Sequence, residues 1–138
     1  MTPKEYLNQA YWLDRRIDSK LAQLSALQDT ATKTTAVMEG EVVSHTRNVT
    51  SLQDVIAKII DMQDEINRDI DALVDLKRDI KRTIDGIEDP EGQTVLELRY
   101  LCFKRWEEIS VIMNYSVRRI YQIHDEALEK LVIPETLQ

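Results

Sequence analysis

Residues 51–87, SLQDVIAKIIDMQDEINRDIDALVDLKRDIKRTIDGI, place an apolar side chain at every seventh position without a break. Leu52, Ile59, Ile66, Leu73, Ile80 and Ile87 mark that row, and Val55, Ile56, Met62, Ile70, Leu76 and Ile84 fill the turns between them. Steps of three and four draw one stripe along an α-helix, and at 1.5 Å per residue this helix is roughly 50 Å long. It cannot bury such a stripe alone. Asp69 and Thr83 also fall on the seam and weaken a two-stranded pairing, which points to a bundle with contacts both within the chain and between copies. A homo-oligomer through the heptad helix is expected.

Toward the N-terminus, Thr2-Pro3-Lys4-Glu5 has the marks of a helix start: a capping hydroxyl, Pro at the first helical position, and a carboxylate three residues after the cap. Tyr6, Ala10, Leu13, Ile17, Leu21, Leu24 and Leu27 then form a stripe of the same kind. An antiparallel hairpin of this helix with the heptad helix would bury both stripes. Between them, at about 29–50, the periodicity fades among Thr30, Thr32, Thr34, Thr35, Thr46 and Thr50, with Gly40 near the middle, and a loop is expected.

Composition agrees with an all-α fold. Hydrophobic residues make up 43% of 138 and charged residues 31%, with only three Gly and three Pro, a profile of long helices rather than of a turn-rich sheet protein. The single cysteine, Cys102, has no partner for an internal disulfide, and no leader-like segment opens the chain, so the cytoplasm is the expected compartment. No apolar run approaches the roughly 20 residues of a membrane span. His45, His124 and Cys102 are too scattered for a metal site, and there is neither a Gly-rich phosphate loop nor an activated nucleophile, so no enzyme, cofactor or metal is expected.

Asp89-Pro90-Glu91-Gly92 closes the heptad helix, because Pro lacks an amide hydrogen and disfavours helix in the residue before it. The expected division is a helical coiled-coil region, 1–89, followed by a second domain, 90–138. There, Val95–Leu101 and Lys104–Met113 are two short amphipathic stretches, the second with Ile109 and Ile112 facing a core around the small Ser110. Asn114 stands where a tight turn needs positive φ, and Ser116 can cap a further helix in which Ile120, Ile123, Ala127, Leu128 and Leu131 face inward. This is the requirement set of a helix-turn-helix head.

The opposite face of that last helix presents Val117, Arg118, Tyr121, Gln122 and Asp125. Arg can grip guanine O6 and N7 bidentately, Gln can do the same to adenine N6 and N7, and Tyr can bond a phosphate or pack on a thymine methyl. Lys104, Arg105 and Arg119 suit phosphates, while Trp106 suits the small core, and Glu107 and Glu108 meet a helix N-terminus favourably. The net charge of -7 runs against a nucleic-acid binder, but residues 1–90 hold 12 Lys+Arg against 17 Asp+Glu and 91–138 hold six against eight. From 104 to 122 there are four cations and two carboxylates.

Trp106-Glu107-Glu108-Ile109, Asn114-Tyr115-Ser116, Arg119-Ile120-Tyr121-Gln122-Ile123 and Ala127-Leu128-Glu129-Lys130-Leu131 together resemble region 4 of sigma-70-type factors. With a coiled-coil part ahead of it, the whole chain is similar to small phage sigma-like regulators of the ArpU and RinA late-gene kind. The resemblance implies double-stranded promoter DNA and bacterial RNA polymerase as partners, a bacterial host cytoplasm, and a transcription regulator of phage or prophage origin. It implies a DNA-binding set of Lys104, Arg105, Ser116, Val117, Arg118, Arg119, Tyr121 and Gln122. The rival expectations are a small terminase-like DNA-packaging subunit, and a polymerase-binding module without DNA binding.

Overall fold

The computed structural model describes residues 1–40 and 45–134, with side chains outside 37–48. It is all-helical: α1 Pro3–Gly40, α2 His45–Asp85, α3 Pro90–Tyr100, α4 Trp106–Met113 and α5 Val117–Lys130, with no strand among the described residues. None of its helices is long and apolar enough to cross a membrane.

The expected start of α1 is formed as a capping box. Thr2 Oγ1 accepts from the Glu5 amide at 3.1 Å, and Glu5 Oε2 accepts from the Thr2 amide at 3.3 Å. Its end corrects the expected loop at 29–50: α1 continues to Gly40 and α2 begins at His45, leaving 41–44 outside the described residues. Side chains explain the difference. Thr30, Thr32, Thr34 and Thr35 each donate to the carbonyl four residues back, at 2.9–3.0 Å, so hydroxyls that usually compete with the helix are satisfied inside it.

Contacts divide the chain into two compact units, one of Met1–Asp14 with Ala72–Gln138 and the other of Arg15–Asp71. The expected boundary at 89/90 lies within the first of these units. The turns at both outer ends of the α1–α2 pair belong with the three short helices because they supply part of the same core.

In the Arg15–Asp71 unit, α1 and α2 lie side by side along a narrow seam in which Ile17 and Ile66 are buried. Asp69, the polar misfit of the heptad row, is bonded by Lys20 of α1, which also pairs with Glu65 at 3.0 Å. The Lys20 side chain is only 13% exposed, and its carboxylate partners, Asp69 first, raise its pKa. Lys20 thus takes the seam place expected of Leu21, which is 45% exposed.

In the other unit, Tyr6, Leu7 and Ala10 of α1 meet Ile80, Ile84 and Ile87 at the end of α2, Leu96 and Tyr100 of α3, and Ala127 and Leu131 of α5. Each fully buried aliphatic side chain of this kind contributes roughly 1.5–3 kcal/mol. Thr83, the second misfit of the heptad row, hydrogen-bonds the Tyr6 hydroxyl at 3.0 Å. A second cluster, Val95, Ile109, Ile120 and Ile123 with Leu98, Trp106 and Met113 against it, binds α3, α4 and α5 together.

α3 begins at Pro90, ahead of the expected stretch Val95–Leu101, with Asp89 at its N-cap, and Gln93 bridges back to the carbonyl of Ile87. Gly92 is buried where α3 meets α5: a Cβ there would stand 3.0 Å from Ala127 Cβ and 2.9 Å from Asp89 Oδ2. Overpacking such a contact costs about 1–3 kcal/mol. Gly92→Leu is accordingly expected to lower the midpoint of thermal or urea unfolding, whereas an unchanged midpoint would mean that α3 and α5 can part freely.

Candidate nucleic-acid interface

The turn between α4 and α5 is built by three residues. Asn114 ends α4 in the left-handed region, with φ 57° and ψ 42°, a conformation Asn tolerates better than most residues. The Tyr115 amide returns to the Ser110 carbonyl at 3.2 Å, and the Ser110 hydroxyl donates to the Tyr115 carbonyl. Ser116 then caps α5 by accepting from the Arg119 amide at 3.1 Å. The expected turn, small residue and cap all have a place in the geometry. Ile112 does not: it is 54% exposed beside Val111, and Ile109 alone of that pair enters the core. The packed side of α4 runs through Trp106, Ile109 and Met113 instead.

A second left-handed residue, Phe103, ends the stretch after α3, with φ 57°. Lys104 donates from its amide to the Leu98 carbonyl at 3.0 Å, and the Arg99 guanidinium donates to the Lys104 carbonyl at 3.0 Å. The Phe103 ring packs edge-on against Tyr11 and beneath the Lys77 ammonium, contacts that offset the cost of the backbone.

Along α5, Ile120, Ile123 and Ala127 are buried and Leu131 follows them inward, while Arg118, Tyr121, Gln122 and Asp125 are exposed and Val117 is half-buried. The structure brings the expected outward set onto one helix face. Tyr121 leans on Trp106, ring centroids 5.0 Å apart, and the Arg99 guanidinium lies over the Trp106 ring, 4.5 Å from its centroid. Trp106 is half-buried against the second cluster, so its body is committed to packing.

The cations are mostly engaged. Arg105 bonds Glu108 at 2.9 Å, and Lys104 lies 3.9 Å from the same carboxylate. Arg119 lies 3.7 Å from Glu91, whose other oxygen accepts from the Tyr115 hydroxyl. The Arg105 side chain holds the Glu108 carboxyl below its ordinary pKa, and the bond to Glu91 holds the Tyr115 hydroxyl above its own. Among the described contacts, Arg118 makes no ion pair.

His124 is the site residue that a search for metal ligands passes over. It is 4% exposed, stacked on Tyr100 and met edge-on by Trp106. Its Nε2 lies 2.6 Å from the Tyr100 hydroxyl and its Nδ1 3.0 Å from Asp125 Oδ1. The Asp125 carboxylate can only accept, so Nδ1–H donates to it and Nε2 accepts from the Tyr100 hydroxyl, whose pKa desolvation pushes up to about 12. The imidazole so oriented ties α5 to α3 one turn from Tyr121 and Gln122. A signal was present in the sequence, since His124 stands four residues after Ile120 and three before Ala127 on the inward steps.

Desolvation also lowers the His124 pKa, against the opposing pull of Asp125. The unfolded chain therefore binds the proton more tightly, and stability contributed by this group is full above about pH 6.5 and is lost as pH falls through the folded value. Thermal midpoints of the wild type are expected to drop between pH 7 and pH 5 more than those of His124→Phe. Equal drops would place the titration elsewhere.

No curated protein and no solved structure matched the chain. A family model did, over residues 26–132, which include the last part of α1 and all of α2, α3, α4 and α5. The chain belongs to the family described as Protein of unknown function (DUF1492).

Proposed function

We propose that the protein is a DNA-binding transcription regulator of phage or prophage origin that acts at promoters beside the host RNA polymerase. The observation that carries this reading is the α4-turn-α5 arrangement, with a capped α5 that exposes Arg118, Tyr121 and Gln122 along one face. A helix presented in this way suits the major groove, with its first turns toward base edges. The resemblance to sigma-70 region 4 supports the same reading, because Trp106, Asn114, Ser116, Ile120 and Ile123 serve as packing, turn and capping residues there as the pattern requires. In the proposed interface Arg118 and Gln122 read bases, Val117 and Tyr121 contact thymine methyl or backbone, Ser116 lies beside a phosphate, and Lys104, Arg105 and Arg119 hold phosphates. Net acidity and the paired cations favour one rival, a polymerase-binding module without DNA contact.

Electrophoretic shifts with duplexes from the protein's own genetic neighbourhood discriminate the two. Arg118→Ala and Gln122→Ala are each expected to weaken the preferred site by about 1–3 kcal/mol and to relax specificity at one position. If both variants bind every duplex as the parent does, α5 is not the reading helix.

Self-association belongs to the same proposal, through α2 but away from its seam. Ile66 and Asp69 of the heptad row face α1, whereas Ile56, Ile60 and Ile70 stand 41–52% exposed on a row completed by Gln63 and Asn67. That row carries no charge in a chain that is 31% charged, and an antiparallel second copy would set Ile60 against Ile70 and Gln63 against Asn67. Sedimentation is expected to report a dimer for the wild type and a monomer for Ile60→Lys. A wild-type monomer at micromolar concentration removes this element of the proposal.

A further inference from the structure

The pairing of the cations has a second meaning, which rests on the DNA-binding reading. Between residues 104 and 122, Lys104, Arg105 and Arg119 all lie within 4 Å of a carboxylate carried by the same unit, Glu108 for the first two and Glu91 for the third. Both carboxylates are themselves held in place. Glu108 sits in the first turn of α4, where Oε1 accepts from the Arg105 amide as well as from its guanidinium. Glu91 sits in the first turn of α3 and is fixed by the Tyr115 hydroxyl at the turn. Both side chains remain partly exposed, 38% for Glu108 and 44% for Glu91.

The Glu108 carboxylate accepts from the Arg105 guanidinium and so occupies a direction that a phosphate oxygen would take, while Lys104 and Arg119 are held by ion pairs at 3.9 and 3.7 Å. We propose that Glu91 and Glu108 act as resident competitors of the DNA backbone and set the head's affinity and salt dependence, leaving Arg118 as the cation free to engage a duplex at once. Each phosphate contact by Lys104, Arg105 or Arg119 requires exchange of one ion pair for another, so the usual gain from counterion release is partly cancelled at these positions. The device favours a contact that adds specificity over one that adds general affinity. It also accounts for a reading face of locally basic composition within a protein of net charge -7.

The test is fluorescence anisotropy with a labelled duplex of arbitrary sequence, titrated across salt with wild type, Glu108→Gln, Glu91→Gln, Glu107→Gln and Arg118→Ala. Glu107 is the charge control: it is exposed, adjacent to Glu108, and in no ion pair among the described contacts. Glu108→Gln is expected to bind about two- to five-fold more tightly than wild type at low salt, the scale of an exposed ion pair. Its dependence of log affinity on log salt is expected to steepen by about one unit per freed cation, while Glu107→Gln shows a smaller gain and an unchanged slope. Thermal melts accompany each variant. If Glu91→Gln loosens the turn through Tyr115, the Glu108 arm decides. Equal effects of Glu107→Gln and Glu108→Gln overturn the competitor role while leaving DNA binding intact. Absence of binding by every protein, even at low salt, overturns the DNA-binding reading and this inference with it.

Discussion

The three short helices cannot close their own core. Leu96 and Tyr100 of α3 and Ala127 and Leu131 of α5 leave an apolar surface that is completed by Tyr6, Leu7 and Ala10 on one side and Ile80, Ile84 and Ile87 on the other. That constraint governs the other local choices. α2 must run on past its seam to Asp85, Asp89 and Pro90 must turn the chain sharply into α3, and Gly92 must lack a side chain so that Ala127 can approach. The placement of α5, and so of its outward residues, follows from that packing and from the hydrogen bond between Tyr100 and His124.

Polar residues at apolar positions carry much of the specificity of this fold. Asp69 and Thr83 would each cost a two-stranded seam stability if left without a partner, yet each has one on α1, Lys20 and Tyr6 respectively. A pairing of α2 with another copy of itself through the seam would take Lys20 from Asp69, while the Thr83 hydroxyl would keep only its bond to the Asp79 carbonyl. These bonds select α1 as the neighbour, as a polar residue within a coiled coil can fix register at some expense of stability.

Features encoded locally were legible in the sequence. The capping box at Thr2 and Glu5, the break at Asp89-Pro90, the left-handed Asn114, the Ser116 cap and the two faces of α5 depend on residues within a few positions of one another. What was not legible depended on partners far along the chain, or on a side chain that can serve two conformations. Threonine hydroxyls bond a loop backbone as readily as a helical carbonyl, so Thr30–Thr35 read as a loop and fold as helix. Lys20 replaced Leu21 in the seam because carboxylates of α2 receive it. Nothing near Tyr6 or Leu7 shows that they serve the core of helices more than 80 residues away.

That grouping has a consequence for the order in which the chain can fold. Residues 1–14 leave the ribosome long before 72–138, and the intervening 15–71 must reach a configuration that returns the chain before the shared core can form. Contacts so distant in sequence are slow to assemble, because the entropy of closing the loop is spent before any contact repays it. A rapidly formed α1–α2 hairpin would shorten the effective loop by aligning its ends. The heptad helix then acts as a folding template whose zippering delivers Tyr6 to Thr83, and substitutions in its seam are felt first as delay in the maturation of α3, α4 and α5.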